Sequence, residues 1–216
     1  MNVIAAQPES DTRQALLLAA ENLFGIYGFD GTSMRRIGAD AGQANVSVVR
    51  YHFETKENLA FQILDWRVAQ MEGERRQRLA MAMEREPGQR LHDLVAAIFL
   101  PVLGFTDAKG KHTFARFLIQ YMTTFRAHGV RHPEELAGGA PALAGIVAEM
   151  NRELHFLSPP HVRMRSTKEM IGFMSLVILH DQGTGFFGSS PDLTELIADG
   201  INTSVAALQA PPPRLR

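Results

Sequence analysis

Few side-chain sets in this chain have the spacing that chemistry needs. Gly183, Gly185 and Gly188 spell GxGxxG, the string that lets backbone N–H groups approach a pyrophosphate in dinucleotide-binding turns. That use requires a strand before the glycines and a helix that begins within them. Here the preceding residues read as helix and the next start signal is Ser190-Pro191, so the string reads as a loop between helices. His128 and His132 have the i, i+4 spacing of a helical metal pair. Gly129 and Pro133 place them in a loop, with only Glu134 and Glu135 as nearby carboxylates. GxSxG, HExxH and GxxxxGK(S/T) are absent. Zero cysteines remove disulfides, thiolate metal sites and cysteine nucleophiles together. We therefore expect no catalytic residue, no metal and no cofactor.

The set that remains lies in the first 60 residues and is suited to binding, with hydroxyls, cations and an aromatic pair: Thr32, Ser33, Arg35, Ser47, Val48, Arg50, Tyr51, His52 and Lys56. Such groups meet phosphate oxygens and base edges. The formal charge is −1, and residues 1–60 hold five basic against seven acidic side chains, so any attraction to nucleic acid must come from local placement of charge. The same residues also suit a polar surface on a small three-helix core.

These groups must be positioned by helices, because the pattern is helical almost throughout and no run alternates with period two. The expected fold class is all-α. Leu16, Ala19, Ala20, Leu23, Phe24 and Tyr27 form one stripe of a helix from Asp11 to Tyr27, stopped by Gly28. Thr32 and Ser33 offer N-cap hydroxyls for a short second helix carrying Met34, Ile37 and Ala41, which Gly42 ends. A third helix covers about Val46 to Phe53, with Val46, Val49 and Phe53 on one side, Ser47, Val48 and Tyr51 on the other, and Arg50 and His52 on the flanks. Thr55 caps a fourth that runs to about Arg85, before Pro87-Gly88. Further helices are expected near 89–106, 112–127, 141–157, 160–182 and 191–209. Two short helices joined at Gly42 make the arrangement of a helix-turn-helix DNA reader.

Residues 13–59 resemble the N-terminal domain of TetR-family transcriptional regulators. The resemblance rests on Arg13, Ala19-Ala20, Leu23-Phe24, Gly28-Phe29, Thr32-Ser33-Met34, Ile37, Ala41-Gly42, Tyr51-His52-Phe53, Thr55-Lys56-Glu57 and Leu59. Three departures are Gly38, where an Ala is usual, a turn Gly42-Gln43-Ala44-Asn45 one residue longer than the commonest form, and Arg50, where many members carry Tyr, with Tyr51 one position later. The resemblance implies a homodimer that binds double-stranded DNA at a palindromic operator and leaves it on binding a small-molecule effector. It assigns phosphate contacts to Tyr51, His52 and Lys56, and less directly base reading to Ser47, Val48 and Arg50.

The rest of the chain is rich in large apolar side chains at helical spacing. Phe99, Phe117, Tyr121, Phe125, Met150, Phe173 and Met174, with His180 as a scarce polar neighbour, are candidates for an effector pocket as well as for plain core. Met170, Met174, Val177 and Ile178 on the eighth helix exceed one buried stripe. With Leu193, Leu196, Ile197, Ile201, Val205 and Leu208 on the ninth they fit either a dimer interface or packing within one chain. The division expected is an arm over 1–10, a DNA-binding domain over 11–58, a ligand-binding and dimerisation domain over 59–210, and a tail over 211–216. Leu94 to Phe105 is the longest uncharged apolar stretch, too short to cross a bilayer, and Met1 to Ser10 is no signal peptide, so the expected location is cytoplasmic and no membrane partner is expected. The reading is a ligand-responsive regulator, expected to act as a repressor. The alternative is a helical enzyme or carrier with a vestigial DNA-binding domain.

Overall fold

The first helix of the computed structural model, α1 (Gln7–Tyr27), starts four residues before the expected Asp11, so the arm assigned to 1–10 is helical from Gln7. The structure describes residues 7–43, 45–125, 139–183 and 191–212. His128, His132, Gly185, Gly188, Ala44 and the side chain of Val46 lie outside the described residues, as do residues 1–6 and 213–216. α1 buries Leu16, Leu17, Ala20, Leu23 and Phe24, and Gly28 closes it at φ +70°, its N–H returning 3.0 Å to the Phe24 carbonyl. α2 (Met34–Asp40) starts at Ser33, whose hydroxyl accepts the Arg36 N–H at 3.2 Å. α3 (Val46–Phe53) starts at Asn45, whose side chain accepts the Ser47 N–H at 2.9 Å. Between them Gly42 takes φ +71°, which suits glycine. Gly38 also has a reason: a Cβ there would meet Val49 Cγ2 at 3.1 Å, so α2 and α3 approach more closely than an Ala would readily permit.

Thr55 caps α4 (Lys56–Met83), which stops two residues short of the expected Arg85. The helix expected over 89–106 is shorter. α5 (Leu91–Phe99) tightens into a 3₁₀ turn over Leu100–Gly104, because Pro101 has no N–H with which to continue the ladder. α6 (Thr113–Thr123), α7 (Pro141–Glu153), α8 (Pro159–Gln182) and α9 (Leu193–Gln209) complete the described elements, all of them helical. Ends are fixed across helices. Glu72 of α4 accepts the Ala142 and Leu143 N–H groups at 2.7 and 3.2 Å, capping α7, and Arg165 of α8 donates to the Leu208, Ala210 and Pro211 carbonyls at the end of α9.

One core runs through both expected domains. Phe24 and Phe29 lie 5.3 and 5.1 Å from Phe125, and Phe24 lies 6.4 Å from Phe117, so α1 packs on α6 through aromatic rings. No described helix is long and apolar enough to cross a membrane.

Candidate nucleic-acid interface

The third helix buries Val49 and Phe53 completely and turns Ser47, Arg50 and Tyr51 outward, Tyr51 with 76% of its surface exposed. Val48 is half-buried against the core, and His52 is half-buried, its ring 5.2 Å from Tyr51 and 5.9 Å from Phe53. Ser33 and Arg35 are exposed at the start of α2, beside Arg36, whose guanidinium lies 3.8 Å above the Tyr27 ring. Together these groups present hydroxyls, three guanidinium groups and a phenol over a small apolar core, an arrangement able to bind phosphates and base edges.

Two of the expected phosphate contacts are engaged inside the protein. The Thr32 hydroxyl is buried and donates to the Leu23 and Gly28 carbonyls at 3.1 and 2.8 Å, so it fixes the end of α1 rather than capping α2. Lys56 donates to the Phe29 and Thr32 carbonyls at 2.8 and 3.2 Å and lies 4.2 Å above the Phe29 ring. Its ammonium stays half-exposed, but it holds the α1–α2 turn first.

The candidate pocket residues separate into two packed groups. Phe117, Tyr121 and Phe125 are buried in the α1–α6 aromatic core. Phe99 stacks 4.7 Å from Phe173, and a Cβ on Gly200 of α9 would meet Phe173 at 2.7 Å, so that ring is held tightly among α5, α8 and α9. Met150 and Met174 are buried as well. The aromatic members each pack against a neighbouring ring. His180 is half-buried, its Nδ1 out of water and without a hydrogen-bond partner among the described residues. A groove of about 340 Å³ lies elsewhere, among Arg78, Met81, Glu84, Arg85, Asp93 and Ala96.

The candidate dimer residues also divide. Met170, Met174, Val177, Ile201 and Leu208 are buried within the single chain, where α8 packs on α9 and the body, so they are core in this conformation. Ile178, Leu193, Leu196, Ile197 and Val205 are half-buried. The outward side of α8 instead carries Met164 and Leu179, with Ile171, Ser175 and Ile178 half-exposed between them. Among the described residues no group of three or more His, Asp or Glu is placed to hold a metal ion.

Residues 16–63 match the family model for bacterial regulatory proteins of the tetR family. The N-terminal domain belongs to the TetR family. The whole chain has the fold of TetR-family regulators, similar to a TetR-family transcription regulator from Marinobacter aquaeolei VT8 (TM-score 0.62, 15% identity, 94% of this chain and 98% of that one). It is also similar to FadR from Bacillus subtilis in complex with stearoyl-CoA (TM-score 0.59, 13% identity, 93% and 99%) and to the fatty acid degradation regulator FadR from Bacillus halodurans (TM-score 0.59, 14% identity, 89% and 94%). No curated protein matches the chain. The matched family and these neighbours are transcriptional regulators, and the enzyme reading has no counterpart among them.

Within the TetR-family domain, sequence reasoning missed Glu54. Its N–H still bonds the Arg50 carbonyl at 2.8 Å, so its Cα continues the α3 spiral one turn beyond Arg50 and Tyr51, and it is exposed like them. Glu54 has φ 57° and ψ −62°, and the Thr55 N–H closes on the Phe53 carbonyl at 2.6 Å. That is a γ-turn in a strained region for a non-glycine residue. The i, i+3, i+7 spacing of Ser47, Arg50 and Glu54 would have signalled the shared face. Backbone strain has no such sequence mark. Also missed was a buried ion pair, Glu21 with Arg67, in which Arg67 Nε lies 2.6 Å and Nη2 3.1 Å from the carboxylate. Its signal was available, since each residue is a charge on an otherwise apolar helical stripe, and the two charges are opposite.

Proposed function

We propose that the chain is a cytoplasmic, ligand-responsive transcriptional regulator that acts as a repressor, a homodimer whose two α3 helices read a palindromic operator. The observation that carries this reading is the exposed row Ser47, Arg50 and Tyr51 on a helix whose opposite side, Val49 and Phe53, is wholly buried. Ser33, Arg35, His52 and the free part of Lys56 flank it as phosphate contacts, and Val48 offers an apolar edge. An eight-residue helix spans only about 12 Å, so useful affinity and specificity call for two half-sites held at a fixed spacing. Residues 11–58 serve as the reader and 59–210 as the dimerising and effector-binding body. The outward stripe of α8, Met164, Ile171, Ser175, Ile178 and Leu179, meets its copy.

The effector is apolar or amphipathic. FadR from Bacillus subtilis, with the same fold, is described in complex with stearoyl-CoA, which agrees with that class. His180 supports a polar anchor at the end of α8, because a buried ring nitrogen without a partner is costly unless something hydrogen-bonds to it.

The test is enrichment of duplexes from a random-sequence pool by the purified protein, with its mass in solution measured alongside. A palindrome with half-sites about one helical turn apart and a dimer at micromolar concentration are expected. Ile178→Glu should give folded monomers that bind the palindrome at least about tenfold more weakly, as loss of the second half-site requires. A wild type that is monomeric, or that enriches no sequence at low salt, contradicts the reading.

A further inference from the structure

A continuous set of polar contacts crosses the interior from α8 to α4 and passes through the first turn of α6. Asp181, near the end of α8, accepts the His112 backbone N–H at 2.7 Å and lies 3.0 Å from His112 Nδ1. Thr113, the next residue and the first of α6, donates its hydroxyl to Glu21 of α1 at 2.7 Å. Glu21 in turn holds Arg67 of α4, whose guanidinium also reaches Gln70 at 3.0 Å and lies 4.4 Å above Trp66 and 4.1 Å above Phe105. Asp181, His112, Glu21 and Arg67 are all buried. Four helices thus meet through directional bonds in a place where apolar contact would have been less costly to bury.

The geometry around Thr113 gives those bonds leverage. A Cβ on Gly25 would lie 3.2 Å from the Phe117 backbone nitrogen, so the two backbones nearly touch there. Glu21 meets Thr113 four residues earlier on α1, and Gly25 meets Phe117 four residues later on α6, so the two helices run parallel and in register over one turn. The Gly25 contact acts as a pivot, and the Thr113–Glu21 bond fixes the angle about it. Around that contact Phe24 packs on Phe117 and on Phe125, just past the end of α6, and apolar contact of this kind is non-directional, so it favours no single angle as strongly as a hydrogen bond does. A hydrogen bond has a narrow range of length and angle, so it defines one setting.

We infer that Thr113 is a positioning residue for DNA reading: through Glu21 it sets the tilt of the α1–α3 domain on the body, and through His112 and Asp181 it ties that tilt to α8. This rests on the dimeric regulator reading above, because tilt matters only when two readers must match two half-sites. The route runs α8, α6, α1 and is separate from the covalent route along α4. It assigns Thr113 no contact with DNA.

The experiment uses the full-length protein and a palindrome enriched by the wild type. Affinity is measured for that palindrome, for the same duplex with one base pair inserted between half-sites, and for a duplex carrying one half-site. The variants are Thr113→Val, which keeps the β-branched shape and removes the hydroxyl, Thr113→Ser, which restores it, and Asp181→Ala at the far end. For Thr113→Val we expect half-site affinity within about twofold of wild type, palindrome affinity about tenfold lower, and a flattened preference between the two spacings, a loss within the usual range of coupling between sites. Thr113→Ser should recover the wild-type pattern, and Asp181→Ala should flatten the spacing preference in the same way. An unchanged spacing preference in Thr113→Val overturns the inference, as does an equal loss on half-site and palindrome, which is what general damage would give. If Thr113→Val is too unstable to assay, Asp181→Ala decides by the same criteria. A wild type that enriches no duplex overturns the regulator reading itself, so the two failures are distinguishable.

Discussion

Two polar regions of this molecule differ in almost every physical respect. On the α3 face, Ser47, Arg50 and Tyr51 are exposed on a helix whose backbone is capped by its own neighbour, Asn45. Between α1, α4, α6 and α8, the polar groups are buried and satisfied by partners distant in sequence: Glu21 with Arg67, Thr113 with Glu21, His112 with Asp181. The first region can be altered without disturbing the fold, because solvent already competes for each of its groups. In the second, removing one partner leaves the other charged or polar in the interior, at a cost in stability. Groups that recognise a partner are kept available, and groups that fix where they point are kept occupied.

That contrast breaks most visibly at the ion pair. Arg67→Ala should destabilise the protein by about 3–5 kcal/mol, the usual cost of stranding a buried carboxylate, read as a lower midpoint in urea. Replacing both partners, Glu21→Leu with Arg67→Met, should recover most of that loss, since a well-packed apolar pair can substitute for a buried ion pair. Recovered stability with a poorly spaced operator preference would sharpen the comparison, because it separates holding the fold together from holding the reader at an angle. If Arg67→Ala unfolds no more easily than the wild type, the buried region has been misjudged.

A smaller effect is expected at Glu54, where the two regions' logic meets in one residue. Glu54→Gly relieves a left-handed backbone but loosens the unfolded chain, for a net gain of about 0.5–1 kcal/mol in stability. It also removes a carboxylate from the reading face, so affinity for DNA should rise. Glu54→Gln keeps the strain and removes the charge, and should raise affinity without raising the melting temperature. Equal stability in wild type and Glu54→Gly would show that the strain of the γ-turn is no larger than the entropy that glycine adds to the unfolded chain.

Much of the architecture was legible because helical stripes survive translation into three dimensions. The buried side of α1, the stop at Gly28 and the caps Ser33 and Thr55 follow from residue type and spacing alone. The site was half-legible. Ser47, Arg50 and Tyr51 lie on the exposed side of a helix whose apolar side identifies itself, whereas the internal bonds of Thr32 and Lys56 have no mark in the sequence, which does not reveal which carbonyls a hydroxyl or an ammonium will find first. Periodicity also cannot distinguish burial within a chain from burial between chains. Met174, Val177, Ile201 and Leu208 therefore fit a dimer interface and packing within one chain alike, and in the structure α8 and α9 bury them against the body. The contacts of the aromatic pocket candidates were not legible for a related reason, since Phe117 and Phe125 pair with Phe24 and Phe29, which are distant in the sequence.

The central claim, that the α3 face reads DNA while the rest of the molecule positions it, is tested most directly by one comparison. Arg50→Ala combined with Tyr51→Ala is titrated against the wild type on the enriched palindrome, with thermal unfolding of both followed in parallel. The account predicts an affinity loss of about a thousandfold or more, from two lost contacts of about 1–3 kcal/mol each in each half-site, and unfolding curves that coincide within about 0.5 kcal/mol because both side chains are exposed. Undiminished affinity in the double variant would contradict it.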